Sequence, residues 1–543
     1  CKIYYYRIKS QLLIMLKNSI LIMEKFRIQK ISKLFMLLSV GVLVLSCDLD
    51  ENPPFLDDPV SLYNDVTSAE YARDGIYAAF THYNAMEQRM FVENGYSGLF
   101  TTRRGGNKLS SVWMNGVMKL NPNENVDNQN TWVGLYRIVS RANAAIENSV
   151  YDLDSGDPSQ LRINDVVGHA YFSRAFSYFS LTRLWGDIPV WTTLSTYDDI
   201  HRAKTPMKEV FKLIIEDAQL AKSLLNGSAG LGFPKAHAAQ MLLAKVYMLL
   251  ATNPELQDDN LSEIDYWNLA YTEAKDIYTS GDYSLVADYA SLFDGSNENS
   301  EESIFELQNS QDATNSQMGR NYTPWRYKAG QAFGWFYVSA SVYDYHVAHY
   351  PTDPRLDATY ISDYTQRCGG CDTEGNPHRT YPTNSTRRSF GNAHPYLFKH
   401  AEKDRTHTNQ FNSQNLIIYR YADLLLMLAE ISNELENGEQ LGYVTEVLDR
   451  SGQTPHAGYL ADKDSFRDAI MDEYRFELLG EGHDSYNNRR RGYAYFLENT
   501  INRHNNNPNF KASVDVLLND VESEVMFLDI PLLEINNNEL LND

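Results

Sequence analysis

The chain has four cysteines in 543 residues, and their scarcity removes several kinds of site at once. Cys1 and Cys47 sit near the start, which leaves Cys368-Gly369-Gly370-Cys371 as the one pair in the body. A zinc site built on that pair needs two more ligands, and no second Cys pair exists to supply them. Also missing are the phosphate loop, the dinucleotide glycine fingerprint, the H-E-x-x-H metalloprotease helix and the G-x-S-x-G nucleophile elbow. The 13 His residues do not cluster at metal-ligand spacing. His346 and His349 with Asp353 make a weak ligand set at most, and a solvated helix end is the expected setting. Asp294-Gly295-Ser296-Asn297-Glu298-Asn299 lacks the spacing of an EF-hand loop.

Basic residues are in deficit too. The chain holds 48 Lys and Arg against 71 Asp and Glu, a net charge of −23. The imbalance is uneven. The first 46 residues carry eight Lys and Arg against one Glu, so the remaining 497 carry 40 basic and 70 acidic residues, a net −30. Such a body repels nucleic acid and anionic lipid, so neither is an expected partner. Paired carboxylates such as Glu301-Glu302 are expected on solvated faces rather than as a glycosidase pair.

The basic start has the form of an export signal. Residues Cys1 to Ile22 read as translated sequence upstream of a start at Met23. Lys25, Arg27, Lys30 and Lys33 form a basic n-region, and Leu34 to Leu45 an apolar stretch of 12 residues, too short to span a bilayer comfortably. Val44-Leu45-Ser46-Cys47 resembles a bacterial lipobox, with a small residue at the cut and a Cys that can carry several acyl chains. Cleavage after Ser46 and lipidation of Cys47 are expected, followed by an acidic, Pro-broken tether over 47–59. In an exported chain Cys368 and Cys371 are expected to close a local disulfide, the alternative being two free thiols.

The body is expected to be all-α dominated. Phe172, Ala175, Phe176 and Phe179 fall on one helical face, as do Ala239, Leu242, Leu243 and Val246, and Ala422, Leu425, Leu426 and Ala429. Helices are expected over Thr131–Val150, Asp165–Leu184, Pro206–Leu225, Lys235–Leu250, Tyr266–Tyr278, Leu416–Leu435 and Ser465–Leu479. Their pairing, with Ala at packing positions, suggests a tetratricopeptide-like superhelix of helix pairs. The expected organisation is 60–280 as an N-terminal helical part with an irregular stretch over 84–130, then a loop-rich insert over 281–414, then a C-terminal helical part over 415–543. A long irregular stretch inside a compact protein is usually functional, so the two stretches are expected to form the working face.

Ten aromatics fall between Tyr322 and Tyr350, a span of 29 residues. Flat rings bind the apolar C–H faces of a sugar, and polar side chains bind its hydroxyls. Trp325, Tyr327 and Trp335 are candidate stacking residues, with Asn321 and Arg326 as polar partners; alternatively these rings close the core beneath the insert. Tyr343 and Tyr345 are expected in the core. A second candidate face runs from Tyr96 to Trp113 and includes Arg103, Arg104 and Asn107. The two arginines could meet a carboxylated sugar, a peptide C-terminus or an internal Asp.

Several segments, in order along the chain, resemble one family. Glu70-Tyr71-Ala72-Arg73-Asp74-Gly75-Ile76-Tyr77 looks like the first helix of SusD/RagB-type outer-membrane lipoproteins of Bacteroidetes. Leu135-Tyr136-Arg137-Ile138 with Arg141-Ala142-Asn143 is similar to the family too. So are Arg174-Ala175-Phe176-Ser177-Tyr178-Phe179 with Trp185-Gly186-Asp187-Ile188-Pro189, and the turn Asp353-Pro354-Arg355. Arg420-Tyr421-Ala422-Asp423-Leu424-Leu425-Leu426-Met427-Leu428-Ala429-Glu430 is the most specific match, and Asp529-Ile530-Pro531 with Glu534-Ile535 closes the series. Between Asp472 and Arg490 the pattern departs, with an Arg displaced and a Trp missing. The resemblance implies a nutrient-binding surface lipoprotein, lipid-anchored to the outer membrane and facing the cell exterior. It would capture an oligosaccharide, or in some members a peptide, and deliver it to a SusC-like TonB-dependent transporter. It also implies ligand binding between the early loop and the insert, no cofactor and no covalent chemistry. A surface glycoside hydrolase or esterase and a purely protein-binding adaptor are the competing readings.

Overall fold

The structure is a computed structural model. It describes residues 63, 65–82, 85–102, 126–194, 200–310, 318–327, 332–365, 378–381, 394–401, 413–510 and 517–541, all within the compact unit Leu62–Asp543. Helices dominate. In chain order the principal ones are α1 (Val66–Phe80), α2 (Met86–Tyr96), α3 (Val126–Asn148), α4 (Pro158–Trp185), α5 (Met207–Leu224), α6 (Ala236–Ala251), α7 (Glu263–Ser280), α8 (Ala340–His349), α9 (Tyr421–Leu435), α10 (Gln440–Arg450), α11 (Lys463–Leu478), α12 (Asp484–Arg489) and α13 (Leu532–Asn537). Consecutive helices pack on one another from α3 to α7, then α7 on α9, and α9 on both α10 and α11. This is the tetratricopeptide-like arrangement expected from the Ala-rich faces.

Local chemistry sets the helix ends. The Asp157 carboxylate accepts from the Ser159 amide at 3.3 Å and Pro158 fills the first turn of α4. Ser262 and Asp265 form a reciprocal capping box at the start of α7. The apolar stripes then decide packing. From Ala238 to Ala251 every side chain of α6 is buried, and so is every one from Tyr421 to Glu434 in α9. Gly168 lets α4 meet the end of α5, since a Cβ there would sit 3.0 Å from both Leu224 Cβ and the Leu225 amide nitrogen.

Two expectations need correction. Residues 416–420 are not the start of a helix but a strand, β8 (Leu416–Arg420), antiparallel to β2 (Ser303–Leu307) with Leu307 opposite Leu416. The stretch from Asn84 is not irregular throughout, because α2 occupies 86–96. Its polar residues Gln88, Arg89, Glu93 and Asn94 are buried along with its apolar ones, so it shows no stripe for periodicity to detect. The other short strands are β1 (Phe100–Thr102), β3 (Phe336–Val338), β4 (Tyr360–Ile361), β5 (Asp363–Thr365), β6 (His378–Thr380) and β7 (Tyr396–Leu397). They pair antiparallel as β1 with β3, β4 with β7 and β5 with β6.

A buried ion network joins segment 281–414 to the helices. Arg420, at the end of β8, donates to Glu302 at 2.7 Å, Glu477 at 2.6 Å and Glu481 at 2.7 Å. Arg355 donates to Asp353, Glu473 and Glu477 at 2.6–3.1 Å. Lys399 reaches Glu481 at 2.7 Å, and Arg450 reaches Glu302 and Glu477. These side chains are almost wholly buried. The three arginines around Glu477 hold its carboxyl well below the usual carboxylate range despite the burial that opposes them. Glu302 is therefore interior rather than solvated, and the departure between Asp472 and Arg490 carries well-formed packing. His346 is likewise interior. It lies 3.1 Å from Asp353, and burial pushes its imidazole down to about 4.

Candidate functional site

A short helix at Met318–Tyr322 builds the base of the aromatic face. Its last carbonyls have no partner within the helix. The returning loop supplies them: the Phe333 amide donates to the Arg320 carbonyl at 2.7 Å and the Trp335 amide to the Asn321 carbonyl at 2.9 Å. Between those two residues Gly334 takes a φ of +56°, and a Cβ there would lie 2.8 Å from the Trp325 amide nitrogen. Only glycine lets the 333–335 segment lie this close to Pro324 and Trp325.

The outcome is a ladder of rings and guanidinium groups. Trp325 is 45% exposed, the most exposed tryptophan among the described residues. The Arg326 guanidinium lies 4.1 Å from the Trp325 ring centre, with Arg326 itself at a φ of +61°. Trp335 stacks on Phe333 at 5.0 Å and 23°, and the Arg320 guanidinium sits 4.8 Å from the Phe333 ring. Phe333, Trp335 and Arg326 are all half-buried. Phe333 and Arg320 were not among the expected site residues; the i, i+2 spacing of Phe333 and Trp335 about a glycine was the available signal.

Other expected site residues lie elsewhere. Tyr327 is buried and packs with Tyr337, Tyr364, Tyr396 and Phe398, forming the floor under the face. The Asn321 side chain is buried. Tyr96 is fully buried, with the Arg489 guanidinium 3.6 Å from its ring centre, and burial pushes its hydroxyl up to about 12. These three are packing residues, since a ring or amide closed on all sides has no face for a ligand. Tyr345, by contrast, is a surface residue with Arg503 at 3.9 Å over its ring, rather than core. Arg103, Arg104, Asn107, Trp113, Cys47, Cys368 and Cys371 lie outside the described residues. Thr102, the last residue of β1, pairs with Phe336, which follows Trp335.

Among the described residues no group of three or more His, Cys, Asp or Glu is placed to hold a metal, and no helix is long and apolar enough to cross a membrane. What the face offers is flat rings flanked by guanidinium donors.

The comparisons with known proteins agree on one family. Residues 266–543 match the model of the SusD family, and residues 61–248 match one described as starch-binding associating with outer membrane. A SusD-like protein P25 from Formosa agariphila is 24% identical over 482 residues, covering 81% of this chain and 86% of the relative. A SusD superfamily protein from Parabacteroides distasonis has a TM-score of 0.69 at 19% identity, over 88% of this chain and 98% of that one. A structure solved with a xylogluco-oligosaccharide has a TM-score of 0.66 at 20% identity, again over 88% and 98%.

Proposed function

The chain belongs to the SusD family, and on that premise we propose that it is a surface lipoprotein of the outer membrane that binds an oligosaccharide nutrient and passes it, unaltered, to a SusC-like TonB-dependent transporter. The observation that carries the binding half is the exposed Trp325 beneath the Arg326 guanidinium, with the half-buried Phe333 and Trp335 and the Arg320 guanidinium beside it. Flat rings suit the apolar faces of sugar rings, and guanidinium groups suit their hydroxyls. A structural neighbour solved with a xylogluco-oligosaccharide supports a glycan as the ligand class. The delivery half follows from the lipobox at Cys47 and from a family description that places relatives at the outer membrane. Residues 47–59 act as the tether that keeps the helical body at the transporter mouth, and Trp113, Asn107, Arg103 and Arg104 contribute to ligand binding. No catalytic residue is assigned: the buried carboxylates Glu302, Glu477 and Glu481 are each paired with arginine.

Fractionation of cells that make the intact chain tests the delivery half. The chain is expected in the outer-membrane fraction, exposed to added protease on whole cells, and co-purifying with a TonB-dependent transporter. Recovery in a soluble fraction, or a membrane complex that contains no transporter, would overturn it.

A further inference from the structure

Two of the sequence segments singled out above, Trp185 to Pro189 and Asp529 to Ile535, play no part in the aromatic ladder. They meet where the Trp185 indole donates to the Asp529 carbonyl at 3.1 Å, beside a cavity of about 250 Å³ on α3 that shares no lining residue with the ladder. Trp132, Tyr136 and Trp191 line it, with Ser140, Thr193 and Glu534.

The walls are fixed from behind. Trp132 packs on Tyr136 at 4.9 Å and edge-on against Trp185 at 5.2 Å, and Tyr136 meets Trp191 edge-on at 5.6 Å. The Tyr136 hydroxyl donates to the Pro189 carbonyl at 2.7 Å. Asn143 donates to the carbonyls of Trp191 and Thr193 at 2.9 and 3.0 Å, while its own oxygen accepts from Arg174. Arg174 also holds the Thr192 carbonyl at 2.8 Å. The 189–193 segment is thus pinned by side chains of α3 and α4, and the cavity is preformed rather than a gap between loose loops.

Its chemistry is specific. Glu534 is a half-buried carboxylate whose side-chain partner among the described residues is Trp132. Burial holds its carboxyl above the usual carboxylate range. Three aromatic rings and one under-neutralised carboxylate form the environment that recognises an organic cation, through the ring quadrupoles and the opposite charge. The net charge of −23 favours arrival of a cation. The volume limits the occupant to one amino-sugar ring or one basic side chain, below the usual size of a drug-like ligand.

We propose that the cavity between α3, Trp191 and Glu534 is a second binding site, separate from the aromatic ladder, that takes the ammonium group of a small organic cation. It does not depend on the glycan reading of the ladder, and either can fail alone.

The test is calorimetric titration of the full chain with three probes: glucosamine, Nα-acetyl-lysine amide and neutral N-acetylglucosamine. At least one cationic probe is expected to bind saturably, with a Kd on the order of 1 mM. Glucosamine alone binding identifies an amino sugar, and the lysine derivative alone a peptide side chain; either supports the site. Binding should strengthen as pH rises through the Glu534 titration. Glu534→Gln, which keeps the shape and removes the charge, should weaken it about tenfold. Ser140→Phe, an exposed substitution at the rim, should abolish it while Trp325→Ala leaves it unchanged, and circular dichroism checks that each variant is folded. The proposal is overturned if N-acetylglucosamine binds as tightly as glucosamine, if neither cation binds, or if cation binding survives Ser140→Phe.

Discussion

Trp325 differs from the buried rings around it in one measurable way, its exposure. Removing an exposed ring takes away a binding surface without opening a cavity. Trp325→Ala is expected to weaken binding of the cognate glycan about tenfold or more, as loss of an aromatic anchor does, while moving Tm by no more than about 2 °C. Tyr327→Ala should do the reverse, costing about 3 kcal/mol of stability because its ring fills the floor. Paired denaturant and binding curves separate the two. His346 gives a pH signature. Its imidazole is depressed by burial to about 4 from 6.5, so the unfolded chain binds the proton first as pH falls. The stability it contributes is full above about pH 6.5 and is lost as pH drops toward 4. His346→Gln should flatten the stability profile in that window, and an unchanged slope would contradict the assignment. At this scale the sequence was partly legible. It marked Trp325, Arg326 and Trp335 through the density of aromatics and the glycine at 334. It could not separate them from Tyr327 or Tyr96, because exposure depends on what packs against a ring from distant segments: Phe398 in one case, Arg489 in the other.

Among elements, helices were easier to read than strands or polar interiors. The faces built on Phe172, Leu242 and Leu425 are periodic and buried, so their helices stand where the spacing puts them. The helix at 86–96 and the strand at 416–420 escaped because the first buries its polar residues and the second runs straight into an apolar helix. The Asp353-Pro354-Arg355 turn was visible as a motif, but its purpose lies in partners more than 100 residues away. Arg355 is expected to be a keystone between the insert and α11. Arg355→Met would leave Asp353 and Glu473 without their guanidinium and should cost about 3–5 kcal/mol, the usual penalty for breaking a buried ion pair. Loss below 1 kcal/mol in urea unfolding would show that the network is not what secures the insert.

For the molecule as a whole, the account joins an anchor, a scaffold and a face. Cys47→Ala should release the chain from the membrane fraction with its circular dichroism and glycan affinity intact; persistent attachment would remove the anchor from the account. The cysteine pair at 368 and 371 should appear as one intramolecular disulfide in non-reducing mass spectrometry, and two free thiols would refute it. The central claim is that the ladder captures a glycan and leaves it unchanged. The most direct measurement is calorimetric titration of the purified chain across a panel of oligosaccharides and peptides, with chromatography of each bound ligand after prolonged incubation. The account predicts saturable binding of an oligosaccharide, lost in Trp325→Ala and Trp335→Ala, with the ligand recovered intact. Cleavage products from the bound glycan, or binding confined to peptides, would contradict it.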